Sequence, residues 1–417
     1  MKLRHMREAV LILLLFVLLP SLVSAQDMFT RRKPQNPDQE ALLVFPFPYN
    51  IPGIGGGLGF IAASANMFDT YTDLYLVYLS GDVGGAFAGL DDITLIPNFL
   101  VGGLFKQDIK RAVVPIYETR GMDSDPEQYI LAEVSDVSGT GANLCLCLFE
   151  KRFAATWNYW KQGVVIENLR DKDGNVIPGF AKQSQESTYL TTGISLDLTD
   201  DYLDPRRGIQ ASVYTSKTLD ENTEGLEQST LDKDLQVYVP MGKMSTLALR
   251  YFQSDAVVSR EGETNKDVLA QEITGGAVST YDQLPPEFKA QVDNTYAANK
   301  YGTAYSLGGE NNLRGYPGGR FTGAASALYV AEFRWNFSEE VKPFDWYIWK
   351  DVRTTLQVAF FYELGTVADP PDALWDKTKS AYGVGFRMIS LAGYAYRADF
   401  AITDEGGETI LFFNYPF

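Results

Sequence analysis

Proton-transfer chemistry near neutral pH leans on histidine, and the 417-residue chain holds a single one, His5. His5 lies in a stretch that reads as an export signal, so the mature chain is expected to have none. No Gly-x-Ser-x-Gly elbow is present. Histidine-dependent hydrolysis is thereby excluded, and no enzyme activity is expected. The two cysteines, Cys145 and Cys147, stand two apart, on one face of any strand. Neighbours so spaced seldom meet disulfide geometry, and Cys-x-Cys without histidine is a weak metal signal. They are expected to be small wall residues. Asp171-Lys172-Asp173-Gly174-Asn175 is spaced like the start of a calcium loop, but Lys182 stands where the bidentate glutamate belongs. An exposed hairpin turn is expected there, with no metal and no cofactor.

Other charged residues alternate with aromatics. Tyr329, Ala331, Phe333, Trp335 and Phe337 fall on one face of an extended segment, and Val330, Glu332, Arg334 and Asn336 on the other. Leu356, Val358, Phe360, Tyr362 and Leu364 likewise oppose Thr355, Gln357, Ala359, Phe361 and Glu363. Tyr394, Tyr396, Phe400 and Ile402 alternate with Arg397, Asp399 and Thr403. In a membrane barrel such aromatic faces meet lipid and the charges face a wet lumen. A secreted all-β sandwich would share the alternation, but aromatic faces recur in too many strands for a sandwich core. With 45% apolar and 13% aromatic residues the chain has material for this surface. A net charge of −17 excludes nucleic acid as a partner and suits acidic surface loops.

The amino terminus sets the route. Lys2, Arg4 and Arg7 precede an apolar run over 10–19, and Val23-Ser24-Ala25 offers small residues for cleavage, so 1–25 reads as a signal peptide. The run is short for a spanning helix, which needs roughly 20 residues. No later run approaches that length, so any further crossing is by strands. Residues 26–53 carry Pro34, Pro37, Pro46, Pro48 and Pro52 and read as a periplasmic linker or plug. The barrel is expected over 54–417, antiparallel, with about sixteen strands, though 68–167 lacks a clear period. Connections alternate short and long: 200–208, 240–245 and 390–393 are short, while 219–234, 257–324 and 368–379 are long. Residues 338–351 break the rule. Their Phe344, Trp346, Tyr347 and Trp349 suggest an anchor at the membrane interface.

Residues 307–320, LGGENNLRGYPGGR, resemble the sixth-loop motif of the superfamily of outer-membrane barrel-assembly insertases and two-partner secretion transporters (BamA/TamA type, bacterial surface antigen). Four further features fall in the same order. Asp204-Pro205-Arg206-Arg207-Gly208 is similar to its Pro-x-x-Gly turn. Glu332 and Arg334 match an inward Glu-x-Arg, and 361–365, FYELG, resembles its Phe-x-Asp-x-Gly strand. Leu411, Phe413, Tyr415 and Phe417 alternate up to an aromatic end, as in its C-terminal assembly signal. The resemblance is good over 190–417. It departs in having Glu363 for the aspartate and Pro416 in the penultimate place. Residues 26–53 are too few for a POTRA domain, so the short barrel-only branch is expected.

The resemblance implies an integral protein of a Gram-negative outer membrane with both termini periplasmic. It implies outer-membrane lipid and the barrel-assembly machinery as partners, with a POTRA-bearing or lipoprotein partner added. It also implies that the long sixth loop folds into the lumen and that Arg314, beside Gly315 and Tyr316, meets Glu332 and Glu363. A guanidinium fork suits two carboxylates. The contact is either a latch on a barrel conformation or a structural pin. Gly53, Gly55, Gly57 and Gly59 bare one face of the expected first strand. That face either weakens the closing seam into a lateral gate or supplies curvature and room for the loop. The functional expectation is a component of protein or lipid insertion or translocation, and the alternative is a passive or plugged pore.

Overall fold

The computed structural model describes residues 40–417 apart from 97–98, 150, 220–224, 341, 348 and 391–394. The signal segment 1–25 and residues 26–39 lie outside the described residues. Around the barrel run β1 (Ala41–Ile51), β2 (Gly55–Met67), β3 (Thr72–Gly81), β4 (Gly84–Ile96), β5 (Leu100–Tyr117) and β6 (Tyr129–Leu148). Next come β7 (Phe153–Arg170), β8 (Gln183–Asp197), β9 (Gly208–Thr218), β10 (Glu227–Pro240), β11 (Ser245–Arg260) and β12 (Ala325–Glu339). The circuit then passes to β15 (Thr355–Ala368), β16 (Lys379–Ile389), β17 (Ala395–Thr403) and β18 (Gly406–Phe413). β13 (Phe344–Trp346) and β14 (Trp349–Val352) form a hairpin inside the β12–β15 turn. Because β12 pairs directly with β15 and β18 returns to β1, the result is a closed antiparallel barrel of 16 strands.

Alternation decides the two surfaces. On β15, Thr355, Gln357, Ala359, Phe361 and Glu363 are buried, while Leu356, Phe360 and Tyr362 are exposed. On β12, Tyr329, Phe333, Trp335 and Phe337 are exposed opposite buried Val330, Glu332, Arg334 and Asn336. Exposed Leu58, Phe60, Leu104, Trp157, Ile194 and Leu249 continue this apolar outer surface around the wall. No helix is long and apolar enough to cross a membrane among the described residues; two helices, Lys266–Thr274 and Pro286–Tyr301, sit in the β11–β12 loop.

Two expectations are corrected. The barrel starts at Ala41, not 54: β1 occupies part of the segment read as linker, and the glycine-rich run is the second strand. The prolines disguise the strand. Pro46 and Pro48 share parity with Asn50, whose backbone faces β18, so both rings sit on the strand edge turned away from β2. The interior is also not uniformly wet. In β5, β6 and β7, Val114, Ile116, Ala132, Val134, Val164 and Ile166 form a buried apolar cluster. Both faces of these strands carry apolar residues, which is why 68–167 shows no period.

Candidate functional site

The β11–β12 loop brings its second half, 302–324, against the inward side chains of the last strands. Leu307 and Phe321 exchange backbone hydrogen bonds of 2.9 and 3.1 Å, pinching the segment into a hairpin. Gly308 (φ +109°) lies where a Cβ would stand 2.0 Å from the Pro317 carbonyl oxygen, so only glycine fits. Gly315 (φ +94°) abuts Ala401 and Thr403 of β17, 2.9 Å from a would-be Cβ. Between them the fully buried Arg314 is aimed at three strands. Its backbone N–H and Nε each donate to the Glu363 carboxylate at 2.6 Å. One terminal nitrogen donates to Asp399 at 2.8 Å and the other to Glu332 at 3.1 Å, with the guanidinium 3.6 Å over the Phe361 ring. Tyr316 donates its hydroxyl to Asp404 and packs edge-on to Phe321.

The cluster extends beyond the expected residues. Glu332 also accepts from Arg334 at 2.7 Å and from both terminal nitrogens of Arg387 at 2.7 and 2.6 Å. Arg397 donates to Asp399 at 2.7 Å and to the Glu310 carbonyl at 2.7 Å. Every ion-paired side chain of the cluster is at most 3% exposed. Charges so buried are tolerable only when paired with good hydrogen-bond geometry, and here each carboxylate holds at least one guanidinium. Sequence reasoning supplied Arg314, Glu332, Arg334 and Glu363. It did not assign Arg387 or Asp399, although Asp399 stood in the alternating pattern of β17.

Two more arginines clamp the loop end. Arg320 donates to Glu405 at 2.8 Å and to the Ser124 hydroxyl at 2.6 Å. Arg120 donates to Asp369 at 2.7 and 2.9 Å, to the Thr303 hydroxyl and to the Gly302 carbonyl.

The seam is the second feature. Neighbouring strands elsewhere pair along ladders, but β1 meets β18 at one residue pair, Asn50 with Leu411. Stepping two residues on, Phe413, the last residue of β18, falls opposite Pro48, so 41–47 run past its end. Asn414 (φ +67°) then turns the chain away from the wall. Aromatic rings stand where the ladder is missing: Phe47 and Phe413 are edge-on at 4.4 Å, with Phe45 and Tyr396 beside them. The Tyr396 hydroxyl donates to the Pro48 carbonyl at 2.6 Å.

No protein-family model matches the sequence, and no curated protein matches it. Solved structures do. BamA from Haemophilus ducreyi lacking POTRA domains 1–3 matches over 90% of this chain and 70% of its own, at 13% identity and a TM-score of 0.47. CdiB from Escherichia coli matches over 90% and 61%, at 11% identity and 0.47. CdiB from Acinetobacter baumannii matches over 89% and 58%, at 10% identity and 0.47. The chain is similar to BamA and to CdiB. It spans less than two thirds of the length of either CdiB.

The remaining sequence candidates are placed as follows. Gly55, Gly57 and Gly59 face Ile51, Tyr49 and Phe47 of β1, and a Cβ on Gly59 would lie 2.2 Å from the Phe47 ring. The bare face is thus filled by inward aromatics of the neighbouring strand. Gly53 (φ +77°), in the β1–β2 turn, lies against Pro317 of the long loop. Gly59→Ala is expected to cost about 1–3 kcal/mol by overpacking. A Phe47→Leu second change should recover part of the loss, read as the denaturant midpoint of the folded barrel.

Leu411 and Phe413 lie on β18, but Tyr415 and Phe417 do not continue its alternation, correcting the expected terminal strand. Instead the Tyr415 hydroxyl donates to Asp204 at 2.8 Å, and the Arg334 guanidinium lies 4.5 Å over the Tyr415 ring and 4.9 Å over that of Phe417. Pro416, unable to donate in a ladder, suits this departure. Cys145 and Cys147 are buried wall residues with sulfurs 3.1 Å apart. Asp171 accepts from the backbone N–H of Asp173 and Asn175 at 3.0 and 2.8 Å, a turn closed on itself.

Proposed function

We propose that this chain is an integral outer-membrane barrel that takes part in inserting or translocating protein or lipid, with the β1–β18 seam as its moving part. The seam carries the reading: one residue pair closes a wall that is laddered everywhere else. An apolar outer surface suits a bilayer, where every backbone group must find a partner inside the protein. At a near-unpaired seam that demand is met by few bonds, so opening there costs least. The Arg314 cluster acts as the latch. It ties the long loop to β12, β15 and β17 and so sets the shape of the half-barrel that ends at the seam. The activity is mechanical, with no bond-making step, and it is shared with a partner bearing POTRA domains or a lipoprotein. The competing reading is a plugged barrel with a purely structural role. The Arg120 and Arg320 clamps favour it, because they fasten the loop end shut.

A tether separates the two. Asn50→Cys with Leu411→Cys, in a chain whose Cys145 and Cys147 are serine, places a disulfide across the seam. Oxidised protein is expected to fail to complement a deletion strain, with function restored by reductant and folded barrel unchanged on gels. Full complementation by the oxidised form would sink the moving-seam reading. Co-purification of a POTRA-bearing or lipoprotein partner is the companion result.

A further inference from the structure

We propose that the β13–β14 hairpin is a strap that holds the seam shut from the end opposite the long loop. The edge of β1 turned towards the seam belongs to Leu42, Val44, Pro46, Pro48 and Asn50, the residues of Asn50's parity. β18 pairs only with Asn50, and the two prolines carry no N–H to pair. Leu42 and Val44 are left as an unpaired edge, costly in apolar surroundings and open to a foreign strand. The hairpin takes that place. Leu42 pairs with Lys350 of β14, and the Trp349 indole N–H donates to the Val44 carbonyl. Val352 is buried with Ala41, Leu43 and Ala65, and Trp349 and Phe45 pack beside them.

The β12–β15 turn is long so that it can reach this edge. β15 stands four strand positions from β1 and β12 five, so the hairpin passes beneath β16, β17 and β18 to arrive there. Glu340 N–H bonds the Thr354 carbonyl at 2.9 Å at its base, and Asp351 N–H bonds the Asp345 carboxylate at 2.9 Å within it. The β10–β11 turn at the same end has four residues, 241–244, and bonds only as far as the adjacent strand, where the Asn336 N–H donates to the Met244 carbonyl at 2.8 Å. Trp349 and Val352 thus serve the edge of β1, while Phe344 and Tyr347, the latter 83% exposed, turn outward as the expected interface anchor requires. The strap meets the backbone of β1 at one residue pair, so its release is a small step compared with parting a ladder.

The inference deepens the moving-seam reading and rests on it for its purpose, but it is tested without it. Hydrogen exchange is measured on the full mature chain in detergent micelles. Trp349→Ala is expected to speed exchange of the Leu42 and Val44 amides at least ten-fold. Amides of β11 between Leu247 and Tyr251 should stay unchanged. If the alanine variant does not give a heat-resistant barrel, Trp349→Phe keeps an aromatic ring, somewhat smaller, and removes the indole donor; at least three-fold faster exchange at the same two amides is expected. Unchanged exchange in the folded variant, or equal acceleration around the whole wall, overturns the strap. A seam tether that leaves function intact would instead defeat the opening of the seam and leave these exchange rates as they are.

Discussion

Arg314→Ala is expected to abolish most of the folded, heat-resistant barrel. The guanidinium is fully buried and its donors serve Glu363, Asp399 and Glu332 at 2.6–3.1 Å. Truncation leaves Glu363 with no guanidinium partner among the described residues and deletes a cation from the Phe361 ring. Removing one partner of a buried pair costs about 3–5 kcal/mol, because the other charge stays behind in a poor solvent. A domain stable by about 5–15 kcal/mol keeps little in reserve after that. Glu363→Ala should cost a similar amount. The double variant should cost clearly less than the two losses added, since both remove the same contact. Strict additivity, read from the fraction of barrel resisting heat in detergent, would show that Arg314 and Glu363 act separately.

Glu332→Gln is the second large effect. Glutamine keeps the size and one acceptor oxygen but deletes the charge that faces Arg314, Arg334 and Arg387 at once. Three buried cations then share what remains, and the new amide aims N–H donors at donors. A loss of at least about 3 kcal/mol is expected, against less than about 0.5 kcal/mol for Glu340→Gln, an exposed glutamate of the next turn. Equal denaturant midpoints for the two variants would mean that Glu332 is not the hub of the cluster.

The strands that could be read from sequence are those whose two faces differ in chemistry. β12 and β15 set aromatics against Glu332, Arg334 and Glu363, and the alternation alone identifies their inward side. β5, β6 and β7 set apolar residues against other apolar residues, because their inner faces pack into a cluster rather than meeting water. Period two then disappears although the strands are long. β1 hid for another reason. Its alternating Leu43, Phe45, Phe47 and Tyr49 were present, but Pro46 and Pro48 read as breakers. They break only a central strand, and β1 has a side with no continuous ladder for them to interrupt. At the site, Arg314 and its two glutamates lie in short motifs, whereas Arg387 and Asp399 gain meaning only when β16 and β17 are placed beside the loop. The inward turn after Phe413 has a local signal in Pro416, but its destination depends on Arg334, some eighty residues earlier in the chain.

The prolines of β1 have a mechanical consequence. A zip with missing teeth on one side cannot be fastened however long the other side grows, so lengthening β18 would not turn this line into an ordinary ladder. Under sideways load from a surrounding bilayer, the line between β1 and β18 is therefore the row expected to part first.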